Sequence, residues 1–185
     1  MVVAVNKNNE SLVAISVRRE ISGMKIKDAL LNENLPFWKV RGVDDCYVFA
    51  ESRTHSGDVI GCCTKIFKEL TDEQSIVEKV IPKLKELINN ETMQKKENSW
   101  DNSLIIVKGT KLYEIDSCYL VRELKDRVVS FASDYIMCAI EDADNMPVED
   151  AILTAFRSCN KVNNRNHFPV LLFNPKTKTK KIFYK

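Results

Sequence analysis

The sequence predicts an α+β fold, a four-layer α-β-β-α sandwich built on two mainly antiparallel sheets. Two observations carry that class. The order of elements is strands, two helices, strands, two helices, strands. Each helical segment also has a single apolar stripe, so each pair must lie on a sheet to bury it. The size fits one domain covering residues 1–185, since 185 residues with 44% hydrophobic content can enclose a substantial core.

The elements follow from local chemistry. Val2 to Val5 and Leu12 to Val17 are short β-prone runs separated by the polar turn Asn6 to Glu10, which reads as a hairpin. Phe37 to Val40 and Cys46 to Ala50 read as two more strands around the turn Arg41 to Asp45. A helix is then expected with Ser56 as its N-cap and Val59, Ile60, Cys63, Ile66, Phe67 and Leu70 on its apolar face. A second helix starts at Thr71, with Asp72 and Glu73 in its first turn. Its stripe runs from Ile76 to Ile88 and contains Pro82, which should kink or divide it. Residues 89–102 form a polar loop with no period.

Strands resume with Leu104 to Val107 and Lys111 to Ile115, joined by a tight turn at Gly109. Cys118 to Val121 and Arg127 to Val129 are further short strands. Two helices follow, one carrying Ala132, Tyr135, Ile136, Ala139, Ile140 and Ala143. The other begins near Pro147 and carries Val148, Ala151, Ile152, Ala155, Phe156 and Cys159. Phe168 to Phe173 and Lys181 to Tyr184 close the chain around the turn Asn174-Pro175-Lys176.

Composition narrows the chemistry. Basic and acidic residues nearly cancel, 28 against 26, so no global charge argues for nucleic acid. No apolar run is long enough for a membrane span, and the N-terminus lacks the pattern of a signal peptide. The expectation is a cytoplasmic protein. Five glycines fit neither GxGxxG nor GxxxxGK[ST], so no nucleotide cofactor is expected. The six cysteines form no CxxC, and Cys62 and Cys63 are adjacent, so neither a metal site nor a disulfide framework is expected. They read as reduced, mostly buried thiols.

Four local features have both a chemical and a structural reading. Cys159 and His167 span a helix-to-strand turn and could form a nucleophile pair, but Cys159 completes an apolar stripe and reads as core. The turn holding Ser52, Thr54, His55 and Ser56 could form a hydroxyl–histidine cluster, or simply lead into a helix N-cap. The lysines of KTKTKKIFYK give a weak nucleic-acid signal, and equally suit a solvated edge strand. Arg18 and Arg19 point to opposite faces, one toward an internal acid or a subunit contact.

Read together, these segments resemble the proteasome β-type peptidases, including bacterial HslV, which belong to the N-terminal nucleophile (Ntn) hydrolases. Leu12 to Gly23, LVAISVRREISG, is similar to the family stretch with Ala-Asp, one or two Arg and a Thr-x-Gly end. Phe37 to Val40, Asp44-Asp45 and Tyr47-Val48 resemble the Lys-Ile-x-Lys-Ile strand, its turn and the next strand. Ser103 to Ile115 resembles the central hairpin, and Ser130 to Tyr135 the Gly-Ser-Gly-Ser-x-Tyr helix entry. Pro147 to Asn164 resembles the last helix and its following turn, so the resemblance covers nearly the whole chain.

The resemblance implies an N-terminal Thr nucleophile whose α-amine takes up the proton, with a Lys and an Asp setting the local charge. This sequence departs at those positions. Val2 stands at the nucleophile position, Val17 at the Asp and Pro36 at the Lys. Ser130-Phe131-Ala132 replaces the Gly-Ser-Gly turn, Ile21 the Thr before the glycine, and Asn163 lies near the final Asp position. Ala50-Glu51-Ser52 replaces the glycine-rich oxyanion turn. No catalytic residues are therefore expected, and Ser52, Thr54, His55 and Ser56 mark a residual cleft. The function implied is a catalytically inactive proteasome-like subunit with a structural or interaction role. It would self-associate into a ring or dimer, beside active proteasome-like subunits or an ATP-dependent unfoldase. The alternative is a divergent threonine-, serine- or cysteine-type peptidase or amidohydrolase with a different nucleophile.

Overall fold

The computed structural model describes residues 1–16, 37–39, 45–50, 66, 69–70, 72–89, 104–116, 118–131, 133–163 and 168–184. The chain divides into two compact units. One comprises Met1–Leu35 with Leu124–Lys185, and the other Pro36–Glu123. Among the described residues each unit holds one five-stranded antiparallel sheet, and the two together make a mixed α+β chain.

In the first unit the sheet order is β10-β9-β2-β1-β8. Its strands are β1 (Val2–Lys7), β2 (Glu10–Ser16), β8 (Arg127–Phe131), β9 (Val170–Asn174) and β10 (Thr179–Phe183). The β1–β2 hairpin turns through Asn8 and Asn9, both at positive φ (53° and 62°), which suits the right-handed twist of its strands. Asparagine tolerates that region better than most residues. β1 is an inner strand, with Val2 opposite Ile15 on one side and Phe131 on the other.

Helices α3 (Asp134–Glu141) and α4 (Val148–Asn163) cover one face of this sheet. Ser133 caps α3 by accepting from the Ile136 amide. Glu149 and Asp150 in the first turn of α4 and Lys161 in its last complement the helix dipole. Their apolar stripes meet Val3, Val5, Leu12, Ala14, Val128, Val170 and Leu172. Val2, Ala4, Val13 and Ile15 alternate with these onto the opposite face and are buried as well. Burial on both faces explains why β1, β2 and β9 read as unbroken apolar runs.

In the second unit the order is β3-β4-β5-β6-β7. The strands are β3 (Phe37–Lys39), β4 (Cys46–Ala50), β5 (Leu104–Lys108), β6 (Lys111–Ile115) and β7 (Val121–Glu123). Gly109 makes the β5–β6 turn at φ +62°, as its position suggested. One helical run lies on this sheet: α1 (Glu73–Ser75), a π-helical stretch (Ile76–Val80) and α2 (Ile81–Asn89). Its start is a capping box one residue later than Thr71: Asp72 accepts from the Ser75 amide, and the Ser75 hydroxyl accepts from the Asp72 amide. Ile76, Val80, Ile81 and Leu84 pack against Val48, Leu104, Ile106 and Ile115.

Two expectations need correction. Of the two outcomes expected at Pro82, a kink or a division, the helix is not divided. The backbone widens into the π-helical stretch immediately before it, with the Ile81 amide reaching Ile76, and the helix then continues through Pro82. Cys118 to Leu120 is a turn and not strand, so β7 starts only at Val121. Asp116 Oδ1 accepts from the amides of Cys118 and Leu120, and Tyr119 sits at φ 63°. That side-chain cap competes successfully with the sheet for the backbone donors. The helix expected from Ser56 and the loop at 89–102 lie almost wholly outside the described residues, though Ile66 and Leu70 do pack on the second core.

Candidate functional site

The head of β1 is the place where the family resemblance asks for chemistry. Val2 is β-branched and apolar, which favours a strand starting at the first residues. Its side chain lies on the face away from the helices and is 1% exposed. Met1 continues the same alignment. Its carbonyl accepts from the Ser16 amide at 3.0 Å, and its side chain packs on the helix-covered core.

Hydroxyl groups gather on the helix-facing side of this end. Ser16 closes β2 and is 4% exposed. Ser130, opposite Val3 on β8, has a buried hydroxyl with no hydrogen-bond partner among the described residues. Ser133 faces the Ile136 amide (3.4 Å) and the Cys159 thiol (3.9 Å). Among the described residues neither Ser130 nor Ser133 contacts a group that could take its proton, and a serine hydroxyl is a weak nucleophile without an adjacent base.

The thiols divide between surface and core. Cys159 is buried in the apolar stripe of α4, as the core reading held. Cys46 is buried in β4, and burial pushes its thiol up to about 11, which removes it from nucleophilic chemistry near neutral pH. Cys118 and Cys138 are exposed, so the described cysteines are not mostly buried. Tyr113 on β6 carries a second buried hydroxyl without a hydrogen-bond partner among the described residues, and burial raises its pKa. Lys111 and Glu123, whose ammonium and carboxylate are 3.4 Å apart, act on it electrostatically.

Of the residues singled out from sequence, Val2 is described. The structure brings it to Phe131 and sets its neighbour Val3 beside Ser130. Val17, Pro36, Ser52, Thr54, His55, Ser56 and His167 lie outside the described residues. Sequence reasoning missed the Ser133–Cys159 contact and the role of Lys7. Its ammonium binds the carbonyls of Ile140 and Glu141 at the end of α3 and pairs with Asp144. The signal available for Lys7 was its place one step beyond the apolar run of β1. Nothing local pointed to a partner 133 residues away.

Comparison with solved structures assigns the class: the fold is that of the proteasome-type Ntn hydrolases. The chain is similar to BPH from Thiobacillus denitrificans, solved in complex with epoxomicin, at 15% identity and a TM-score of 0.63, over 93% of this chain and 96% of that one. It is similar to the eukaryotic HslV of Trypanosoma brucei at 14% identity and a TM-score of 0.59, over 94% and 98%. It is also similar to Anbu, an ancestral β-subunit from Yersinia bercovieri, at 12% identity and a TM-score of 0.63, over 100% and 87%. No protein-family model and no curated protein matches the sequence. Among the described residues no helix is long and apolar enough to cross a membrane, and no cluster of His, Cys, Asp or Glu is placed to hold a metal ion.

Proposed function

We propose that this chain is a catalytically silent proteasome-like subunit with a structural or interaction role in an oligomer. The observation that carries the reading is Val2. At the head of β1, where the resemblance calls for a hydroxyl nucleophile, stands a valine that is paired on both sides and 1% exposed. Val17 and Pro36, at the positions of the family Asp and Lys, support the same reading from sequence. The proposed setting is the cytoplasm, with 1–185 working as one proteasome-like domain. The chain self-associates into a ring or dimer, beside active proteasome-like subunits or an ATP-dependent unfoldase.

The test joins native and denatured mass spectrometry with a covalent probe. Epoxomicin, found with the Thiobacillus BPH, is a suitable reagent. A native mass equal to a multiple of the chain, with no epoxomicin or fluorophosphonate adduct, is the expected result. An adduct mapping to the Ser52–Ser56 turn or to Cys159 would replace this reading with a divergent hydrolase. A strictly monomeric, unlabelled protein would remove the subunit role.

A further inference from the structure

One outer edge of the first unit's sheet is a basic strand. β10 stands at the end of the order β10-β9-β2-β1-β8, and among the described residues β9 is the one strand it pairs with. Residues 175–185, PKTKTKKIFYK, hold five lysines and no acid. Lys176, Lys178, Lys180 and Lys181 are described, and all are exposed. The strand itself, TKKIF, spans about 17 Å at the usual rise and has neither proline nor glycine to interrupt it.

The register places these charges on both faces. Lys181 lies opposite Leu172 and Phe183 opposite Val170, on the helix-covered face. Lys180 lies opposite Phe173 and Ile182 opposite Leu171, on the other face. Lys176 and Lys178 sit in the turn that leads into the strand. One lysine already shows what this edge receives: Lys181 binds the Glu149 carboxylate at 2.7 Å.

We propose that β10 accepts an acidic, extended segment of another protein as a further strand of this sheet. An edge strand turns alternate amides and carbonyls away from its sheet. An added strand pairs with them, and its side chains set the specificity. Acids on the face shared with Lys180 and beside the turn lysines supply the charge match. Two other occupants fit less well. β10 of a second copy would bring the same lysines together, and like charges directly opposed destabilise a strand pair. A single-stranded nucleic acid uses successive rings as a stacking platform. Here Phe183 packs on the helix-covered core and leaves Tyr184, 61% exposed, as the ring beside these lysines. The charge that guards the edge against unselective pairing thus selects an acidic partner. The inference goes beyond the silent-subunit reading and does not depend on it.

Fluorescence polarisation tests it, with the full chain and a short labelled peptide of alternating Glu and Val. The expected result is binding that weakens as salt rises, with the amides of β10 slowed in hydrogen exchange when the peptide is added. The same peptide methylated on alternate backbone nitrogens keeps its charge and loses donors, and should bind at least about tenfold more weakly. Lys176→Glu combined with Lys180→Glu should weaken binding by a similar factor, and Lys180→Gln by less, with circular dichroism confirming that each variant is folded. Equal binding of the methylated peptide, or β10 amides that exchange as before, would overturn strand addition. Tighter binding of a thymidine oligonucleotide than of the peptide would overturn the protein partner in favour of nucleic acid. No binding of the peptide at low salt would overturn the docking edge altogether. Epoxomicin labelling and native mass bear on the subunit reading alone, so the two readings fail separately.

Discussion

Replacing Lys7 tests how the β1–β2 hairpin is held to the helices. Lys7 lies at the end of β1 with its side chain 15% exposed. Its ammonium donates to the Glu141 carbonyl at 2.6 Å and the Ile140 carbonyl at 3.3 Å, and pairs with Asp144 at 2.7 Å. The carbonyls lie in the last turn of α3, where the dipole favours a cation; that of Ile140 also accepts from the Ala143 amide at 3.3 Å. Asp144 is 78% exposed, so its pairing with Lys7 is screened by water and contributes little, about 0–0.5 kcal/mol. Hydrogen bonds from a charged donor contribute about 1.5–3 kcal/mol, and the desolvation of a partly buried ammonium offsets part of that. Lys7→Met keeps the aliphatic stem and should destabilise by about 2 kcal/mol, whereas Asp144→Asn should cost under about 0.5 kcal/mol. Urea unfolding at fixed protein concentration reads the difference. With a slope near 2 kcal/mol per molar, Lys7→Met lowers the midpoint by roughly 1 M and leaves the slope unchanged. Equal losses from the two variants, or a Lys7→Met midpoint unchanged within error, would refute the assignment of the stabilisation to the helix carbonyls.

Other consequences follow from burial and capping. Cys118 and Cys138 should react with a thiol reagent in the native state at pH 8, while Cys46 reacts only on unfolding. Because burial raises the Cys46 thiol from 9.0 to about 11, its contribution to stability is complete below pH 9 and is lost as pH rises toward 11, which alkaline unfolding curves can follow. Asp72→Ala removes the capping-box acceptor and should cost about 1 kcal/mol in chemical denaturation. Phe156 is fully buried on α4, so Phe156→Ala should cost about 3–5 kcal/mol by the same measurement. Ser130→Ala removes a buried hydroxyl that has no partner among the described residues. It should be neutral or stabilise by up to about 1 kcal/mol, and a comparable loss would reveal a partner.

Much of the fold was legible because its signals are local. The run Val2 to Val5 and the segment Lys111 to Ile115 read as strands and are strands. Gly109 and the Asn-rich turn of the first hairpin gave their positions through conformations few residues adopt. Helix α4 matched its stripe because nearly every apolar residue on it meets the core. What failed was competition between local options. Cys118 to Val121 has strand-like residues, but Asp116 caps the backbone two and four residues ahead and delays the strand. Pro82 carries a strong breaking tendency, yet tertiary packing of Ile81 and Leu84 holds the helix together and the π-helical stretch absorbs the mismatch. Of the candidate site, only the β1 end can be compared. The approach of Val2 to Phe131 was not legible, since no local pattern links residues so far apart in sequence.

The same sheet that makes the fold readable constrains what its β1 end can do. Val2 and Val3 point to opposite faces, and both are buried, so substitutions there act on packing before they act on chemistry. An active hydroxyl at Val2 would need a proton acceptor and an opening for substrate. Either departs from the dense apolar surroundings that β-branched residues fill well. Valine at this position favours the packing side of that opposition, and so does the neighbouring Ser130 hydroxyl, which has no hydrogen-bond partner among the described residues.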